Sequence, residues 1–361
     1  LSISLGQSTG QRIDIPKSSI EARKSNPISA MPDLSKTLTP MQVADLTAFL
    51  LSMKEPAKED LASTASGSAS KDASRTGFRV DKKKNKLLIS LSNKQIVEFV
   101  FRDDHTLRPF FANASLINGL KVTRNHPPIK GIDQLDHSEL HPGIWLAFGD
   151  INGEDYWRNK ASMEHVRFIP EPTISNEKLS FSTECRLRKS NGEPLCLLTN
   201  HYTLTARPSG WLLVWEAKFQ ADKETVTLGD QEEMGFGARI ATAFTEKNGG
   251  RIRSSSGKQS AEQTWGQPAE WCDYSGAEPD SGGIMLMADP NNFRKSWWHN
   301  RNYGAFVSNP FGRKAMKQGD TSSVVIEAGE SMSLTFGAMI HDHRSFDADA
   351  EYRVFRDSLK K

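Results

Sequence analysis

Long apolar runs are missing from this chain. No segment approaches the roughly 18 consecutive apolar residues of a membrane helix, so no span is expected. Cysteine is scarce. The three present, Cys185, Cys196 and Cys272, form neither CxxC nor CxxCH. That argues against a disulfide framework and leaves one pairing open, Cys185 with Cys196 across adjacent strands. Charge of one sign is also missing. With 46 Lys and Arg against 44 Asp and Glu, the net charge is +2, which gives no electrostatic case for nucleic acid. The basic run at Lys82-Lys83-Lys84 is short and reads as a solvated strand approach. No internal repeat points to a propeller.

What is present is the composition of a soluble globular protein, 37% hydrophobic and 25% charged over 361 residues. That length predicts two or three domains. The chain opens on Leu1 with a strand-like phrase already under way. It reads as a fragment without its original N-terminus, so the absence of a signal peptide carries no information.

Leu1–Leu5 and Arg12–Ile15 alternate with period two and predict a small hairpin across Gly6–Gly10. A helix follows, with Thr39 as its cap, Pro40 in its first turn and Gln42 at the capping-box position. Val43, Leu46, Phe49, Leu50 and Met53 share its apolar face. Residues 55–76, rich in Ala, Ser, Thr, Lys and Glu, can bury no core and read as a flexible linker. The expected units are therefore 1–54, the linker 55–76, and a domain over 77–361.

From Gly77 onward the texture is strands and turns. Leu87–Leu91 and Ile96–Phe101 flank the turn Ser92-Asn93-Lys94. Leu179 to Leu187 and Met332 to Ile340 alternate cleanly, and Trp211–Phe219 follows Pro208-Ser209-Gly210. No long amphipathic helical pattern interrupts them. The expected fold is all-β, a large two-sheet antiparallel β-sandwich, with the galactose-mutarotase-like kind as the candidate type.

Chemistry concentrates between Leu135 and Arg158, where imidazoles, carboxylates, two Trp and three Gly crowd together. Such a mixture fits a concave site in which rings supply shape and a few polar groups supply chemistry. A turn-rich loop with buried histidines has the same composition. His137 and His141 with Asp133, Asp136 or Glu139 could hold a metal, but the spacing matches no strong zinc signature, and no metal is favoured. His141 with a carboxylate suits acid–base work equally well. Further candidates are Arg124 and His126 before Pro127-Pro128, His165 beside Glu164, and Glu233 with Arg239 around two strand glycines. Two aromatic stretches complete the set, Trp265 to Gly276 and Trp297 to Gly304. Rings interleaved with Asp, Asn, Arg and His suit carbohydrate, whose C–H faces stack on rings and whose hydroxyls bond the polar groups. His341-Asp342-His343 reads as a strand-end loop with exposed imidazoles.

Two resemblances bear on this. Met31-Pro32 followed by Leu38-Thr39 and Ala44-Asp45-Leu46-Thr47-Ala48-Phe49-Leu50 resembles the end of the cytochrome-c-like haem domains of planctomycete proteins. That implies Met31 as axial ligand and haem c in a longer parent, although without CxxCH no haem can be attached here. Arg124-Asn125-His126-Pro127-Pro128, His141-Pro142-Gly143-Ile144-Trp145, Trp271-Cys272-Asp273-Tyr274-Ser275-Gly276 and Trp298-His299-Asn300-Arg301-Asn302-Tyr303-Gly304 resemble the PmoA-like, so-called methane oxygenase, family. It implies a β-sandwich and a periplasmic or extracytoplasmic location.

The leading expectation is a carbohydrate-active enzyme, a glycoside hydrolase, lyase or sugar epimerase. His141, Glu233 and His299 are its catalytic candidates. Arg124, His126, Trp145, Trp157, His165, Trp298, Arg301 and Tyr303 are the substrate-binding candidates. A non-catalytic carbohydrate-binding module attached to a redox protein is the alternative. A metal-dependent oxygenase, as the family name implies, is the third. The expected partner is a carbohydrate or another small molecule, with no cofactor in this fragment.

Overall fold

The computed structural model describes residues 2–6, 12–16, 77–175, 177–344 and 346–360. The chain divides into two units, Leu1–Ser70 and Lys71–Lys361. In the first, Ser2–Gly6 pairs antiparallel with Arg12–Pro16, the hairpin that period two predicts. The helix expected over 39–53, Met31 and the linker 55–76 lie outside the described residues.

The second unit is built on two antiparallel sheets. One has nine strands. In spatial order eight of them are Arg251–Ser254, Trp271–Ser275, Gly282–Ala288, Ser331–Asp342, Gly210–Ala221, Pro194–Arg207, Lys178–Arg188 and Ser162–Phe168, and Thr173–Ser175 joins beside Lys178–Arg188. The other has eight strands, ordered Trp297–Asn300, Ala305–Asn309, Met234–Arg239, Ile144–Phe148, Phe110–Ala112, Lys94–Val100, Lys86–Leu91 and Phe78–Lys82. The clean alternations noted in the sequence are strands of these sheets. Ser92 and Asn93, with φ of 51° and 62°, form the tight two-residue turn between Lys86–Leu91 and Lys94–Val100.

The sheets face each other across an aromatic core, as a sandwich requires. Phe99 of the eight-stranded sheet lies 5.1 Å from Phe181 and 4.9 Å from Tyr202 of the other. Trp215 sits 5.7 Å from both Phe111 and Phe236. Its indole N–H, which burial would otherwise orphan, donates to Asn200 Oδ1 at 2.9 Å.

Three expectations need correction. A C-terminal helix, Ala348–Ser358, does interrupt the β-pattern. Asp347 caps it by accepting from the Ala350 N–H, and Tyr352 and Phe355 cover Met285, Met287 and Met339 on the outside of the nine-stranded sheet. Its short stripe, mixed with five charged side chains, is a weak periodic signal. His341 is not an exposed strand-end imidazole; it is fully buried against Asp273. Cys185 and Cys196 are buried free thiols, with Cys185 opposite Leu198 and Cys196 opposite Leu187. Burial pushes both thiols up to about 12. Among the described residues no helix is long and apolar enough to cross a membrane.

Candidate functional site

Period two splits the eight-stranded sheet into a core face and an outer face. In Ile144–Phe148, the side chains of Ile144, Leu146 and Phe148 join the intersheet core, whereas Trp145 and Ala147 point the other way. In Met234–Arg239 the core takes Met234, Phe236 and Ala238, which leaves Gly237 and Arg239 outside. The registers then build one row on the outer face. His299 is opposite Val307, Val307 opposite Gly237, Gly237 opposite Trp145, and Trp145 opposite Phe110. At about 4.8 Å per strand, His299 and Trp145 have backbones about 14 Å apart. Gly237 serves by its size: a Cβ there would come 2.7 Å from Trp145 Cε2, so the indole lies across the glycine.

His141 stacks on that indole, with centroids 5.2 Å apart and planes within 8°. Trp157 closes its side edge-on at 5.8 Å, and Tyr303 lies nearly parallel at 6.4 Å. Arg239, buried to 1% exposure, ties the group together. It donates to His141 Nδ1 at 3.0 Å, to Gln134 Oε1 at 3.0 Å and to both Asp136 oxygens at 2.8 and 3.0 Å. Its guanidinium also lies 4.6 Å from the Tyr303 ring centre. Burial first, and then the charges of Arg239, His137 and Arg124, hold the His141 imidazole well below its usual range, so the ring is neutral at pH 7. A guanidinium only donates, so Nδ1 is the acceptor and the single proton sits on Nε2.

The Glu232 carboxylate forms a second cluster. Its Oε1 accepts from Trp265 Nε1 at 2.7 Å and from Arg301 Nη2 at 2.5 Å. His299 Nδ1 lies 2.9 Å from the same oxygen, a close contact bent away from hydrogen-bond alignment. Burial alone would raise the Glu232 carboxyl, but His299, Trp265 and Arg301 outweigh it and hold it at about 2. Glu232 is therefore ionised across the physiological range. His141 and His299, each 5% exposed, lie on the outer face of the sheet and within electrostatic reach of each other. Tyr303 beside His141, and Glu232 and Arg301 beside His299, are half-buried.

The candidates taken from sequence divide. His141, Trp145, Trp157, His299, Arg301 and Tyr303 come together on this face. Trp145 and Trp157 are buried, at 0% and 2%, and so shape the site without offering it an open stacking face. Glu233 stands at the rim, 3.1 Å from Arg158, and its neighbour Glu232 makes the contact with His299. Trp298 is a core residue: adjacent to His299 in a strand, it points the opposite way, and its N–H donates to the Ala269 carbonyl at 3.1 Å. Arg124 is a brace. It is 1% exposed, and its terminal nitrogens donate to the carbonyls of Gln134, Asp136, His137 and His141. That fixes the loop carrying His141, and burial lowers its guanidinium to about 10.

His126 packs edge-on against Phe110 beside a different cavity, with Lys84, Lys86 and Asp104. His165 lines another cavity, of about 430 Å³, and lies 4.8 Å from both Phe101 and Phe168. Burial, then Arg102 and Lys82, lowers its imidazole to about 4. The sign follows. Unfolded, this ring takes up a proton near pH 6.5, whereas folded it resists until about pH 4, so acidification across that window favours the unfolded state. His165→Phe is expected to flatten the fall in Tm between pH 7 and 4, read by thermal unfolding at stepped pH. An unchanged slope would contradict it.

Glu232, Gln134, Lys247 and the ring of Trp265 are the site residues that the sequence candidates lacked. Trp265 and Arg239 carried a signal, since each sat in a stretch singled out for its composition. Glu232 stood beside the candidate Glu233 in the same stretch as Arg239, whereas Gln134 and Lys247 carried none.

Asp136, His137 and His141 offer ligand atoms within 4.8 Å of one another. They do not fit a metal ion well. His141 Nδ1 and both Asp136 oxygens already accept from the buried Arg239 guanidinium, so a second cation would enter beside a fixed one. No metal-dependent step is derived from them.

Residues 86–354 match the model of a family of unknown function (DUF6807). This overturns the PmoA-like resemblance; neither a PmoA-like nor a cytochrome-c-like domain is found. The oxygenase reading and the extracytoplasmic location lose the ground that the resemblance supplied. No curated protein matches the sequence. Among solved structures, a beta-arabinopyranosidase aligns with 69% of this chain at 10% identity and a TM-score of 0.40, and this chain spans 39% of its length. A galactose mutarotase-like protein from Lactobacillus casei aligns over 73% of this chain and 100% of its own, at 8% identity and a TM-score of 0.38. A GalM/aldose epimerase homologue from C. elegans covers 74% and 99%, at 9% and 0.34. At these values the likeness supplies no residue-by-residue correspondence and says nothing of chemistry.

Proposed function

The chain belongs to the DUF6807 family, whose function is unknown, and we propose that it is a carbohydrate-active enzyme that moves a proton on a sugar by His–carboxylate chemistry. The observation that carries this reading is that two differently prepared imidazoles share one face of the sheet, within electrostatic reach of each other. His299 turns Nδ1 toward an ionised Glu232, which leaves Nε2 free to accept a proton, as a general base requires. His141 presents a neutral Nε2–H, a donor suited to a developing oxyanion. A base and an oxyanion donor together abstract a proton from carbon beside a C=O group, the common first step of epimerisation and of elimination. A neutral imidazole is a poor proton source for a leaving group, so hydrolysis, which needs a general acid, is the weaker reading.

Sugar is favoured as substrate because the half-buried rings of Tyr303 and Trp265 stand beside the multivalent donors Lys247 and Arg301. The binding-module alternative requires an exposed aromatic strip. Trp145, Trp157 and Trp298 are instead buried, and so are the His141 and His299 rings beside them. The test is a glycan-panel activity screen of wild type beside His141→Ala. Turnover of a sugar that drops by about 10²–10³ in the variant supports the oxyanion role. A sugar turned over equally by both proteins would remove His141 from the chemistry.

A further inference from the structure

A cavity of about 570 Å³ opens beside Glu232, walled by Glu246, Lys247, Trp265, Asn300, Arg301 and Asn302. Its volume lies within the range of small-molecule sites, about 300–1,000 Å³. Trp265 and Arg301 in its wall donate to the same Glu232 oxygen that contacts His299. The cavity wall and the His299 base thus meet at one carboxylate oxygen. Tyr303, outside the cavity wall, lies against His141 and Arg239. Two half-buried rings therefore belong to the site, Tyr303 with the oxyanion donor and Trp265 with the cavity. Exposed Lys247 bridges them, with its ammonium 6.0 Å from the Tyr303 ring centre and its side chain in the cavity wall.

We infer that the substrate is a glycoside of at least two rings, one against Tyr303 and the next in the cavity against Trp265, and that the linkage between them is broken by β-elimination. This rests on the sugar reading of the site. An enzyme that only epimerised a single sugar would have no use for a second compartment joined to its base. The ring against Tyr303 must carry a C=O group, either a ring ketone or a carboxylate, to acidify the neighbouring C–H. His299 Nε2 takes that proton. The electron pair moves into an enolate whose oxygen accepts from His141 Nε2–H. The enolate collapses to a C=C bond as the C–O bond to the second ring breaks, and the proton on His299 passes to the departing oxygen. One glycoside gives one unsaturated sugar and one free alcohol, with no water, oxidant or reductant consumed.

The test titrates the full chain calorimetrically with galacturonic acid, digalacturonic acid, a ketoglucose and a keto-disaccharide, and follows ultraviolet absorbance for the conjugated double bond. The expected result is that the disaccharide in one arm binds about tenfold or more tightly than its monosaccharide, a difference of about 1.4 kcal/mol. The arm that responds tells carboxylate from ketone. Absorbance should rise only with that disaccharide. Lys247→Ala and Trp265→Ala should lower disaccharide affinity by about tenfold, and more than monosaccharide affinity. If Trp265→Ala does not fold, the exposed Lys247 decides. Equal affinity for one ring and two, unaltered by the variants, overturns the two-ring site and leaves the sugar reading standing. Tighter disaccharide binding with release of two saturated sugars and no rise in absorbance overturns elimination. No binding in any arm overturns the sugar reading and this inference together.

Discussion

Replacing His299 by Gln is expected to lower kcat by about 10²–10⁴, the range for removing a general base, with little change in thermal unfolding. Gln keeps most of the side-chain volume at this 5%-exposed position but cannot carry the proton. The effect should fall mainly on kcat, because the ring acts on the proton in transit and adds little to binding. Glu232→Gln is expected to have the same sign and a smaller size. Its loss removes the carboxylate held at about 2 but leaves the imidazole in place. Glu233→Gln serves as the contrast. Glu233 meets Arg158 at the rim, where side chains are 29% and 40% exposed, and such pairs are worth at most about 1 kcal/mol. Steady-state kinetics on a sugar returned by the screen decide the matter. A His299→Gln enzyme with wild-type kcat, or a Glu233→Gln enzyme as slow as His299→Gln, would reassign the base.

The largest loss of stability is expected from Asp273→Ala, on the outer side of the nine-stranded sheet. Asp273 and His341 are both fully buried, 2.8 Å apart, and Arg253 Nε donates to Asp273 from the edge at 3.0 Å. His341 Nδ1 faces the Asp342 carbonyl at 2.9 Å and Nε2 faces the carboxylate. Both partners only accept, so both ring nitrogens donate, which an imidazolium does. Removing the carboxylate leaves that charge buried without its counter-ion, at a cost of about 3–5 kcal/mol. For a domain of this size the fall in Tm is on the order of 10 °C.

The pH dependence has a definite sign. Burial raises the Asp273 carboxyl, but His341 and Arg253 prevail and hold it below the usual value. Its contribution to stability is therefore complete above the ordinary carboxylate pKa, about 3.9. It is lost as pH falls through the lower folded value. Asp273→Asn should remove that part of the acid sensitivity while keeping the shape. Calorimetric scans that show Asp273→Ala within about 1 kcal/mol of wild type would contradict the buried pair as a stabilising element.

Much of the sandwich was legible because a strand between a core and another face writes period two into its residues. Leu179 to Leu187 and Met332 to Ile340 could hardly be anything else. The Ala348–Ser358 helix escaped because its buried stripe is short and diluted by charge. Within the site, the stretch from Leu135 to Arg158 and the Trp297–Gly304 phrase were marked by composition alone. Parity then decides roles that composition leaves open. Trp298 and His299 both look like site residues, yet neighbours in a strand cannot face one cleft. Glu232 and Glu233 precede the regular strand at Met234, where the alternation gives no guidance, and only the folded chain turns Glu232 to His299.

By itself the sequence determined an all-β chain with aromatic and imidazole groups collected into a few stretches, because alternation and composition are local properties. Only the tertiary structure decided which of those groups do chemistry. Arg124 and Arg239 look alike as residues, yet one braces a loop through four carbonyls and the other fixes the tautomer of His141. That difference arises from segments some hundred residues apart, such as 133–141 and 239, brought into register across a sheet and sealed from water. Long-range pairing and burial set the direction of each hydrogen bond and the charge state of each ring, and neither is written into any single stretch of sequence.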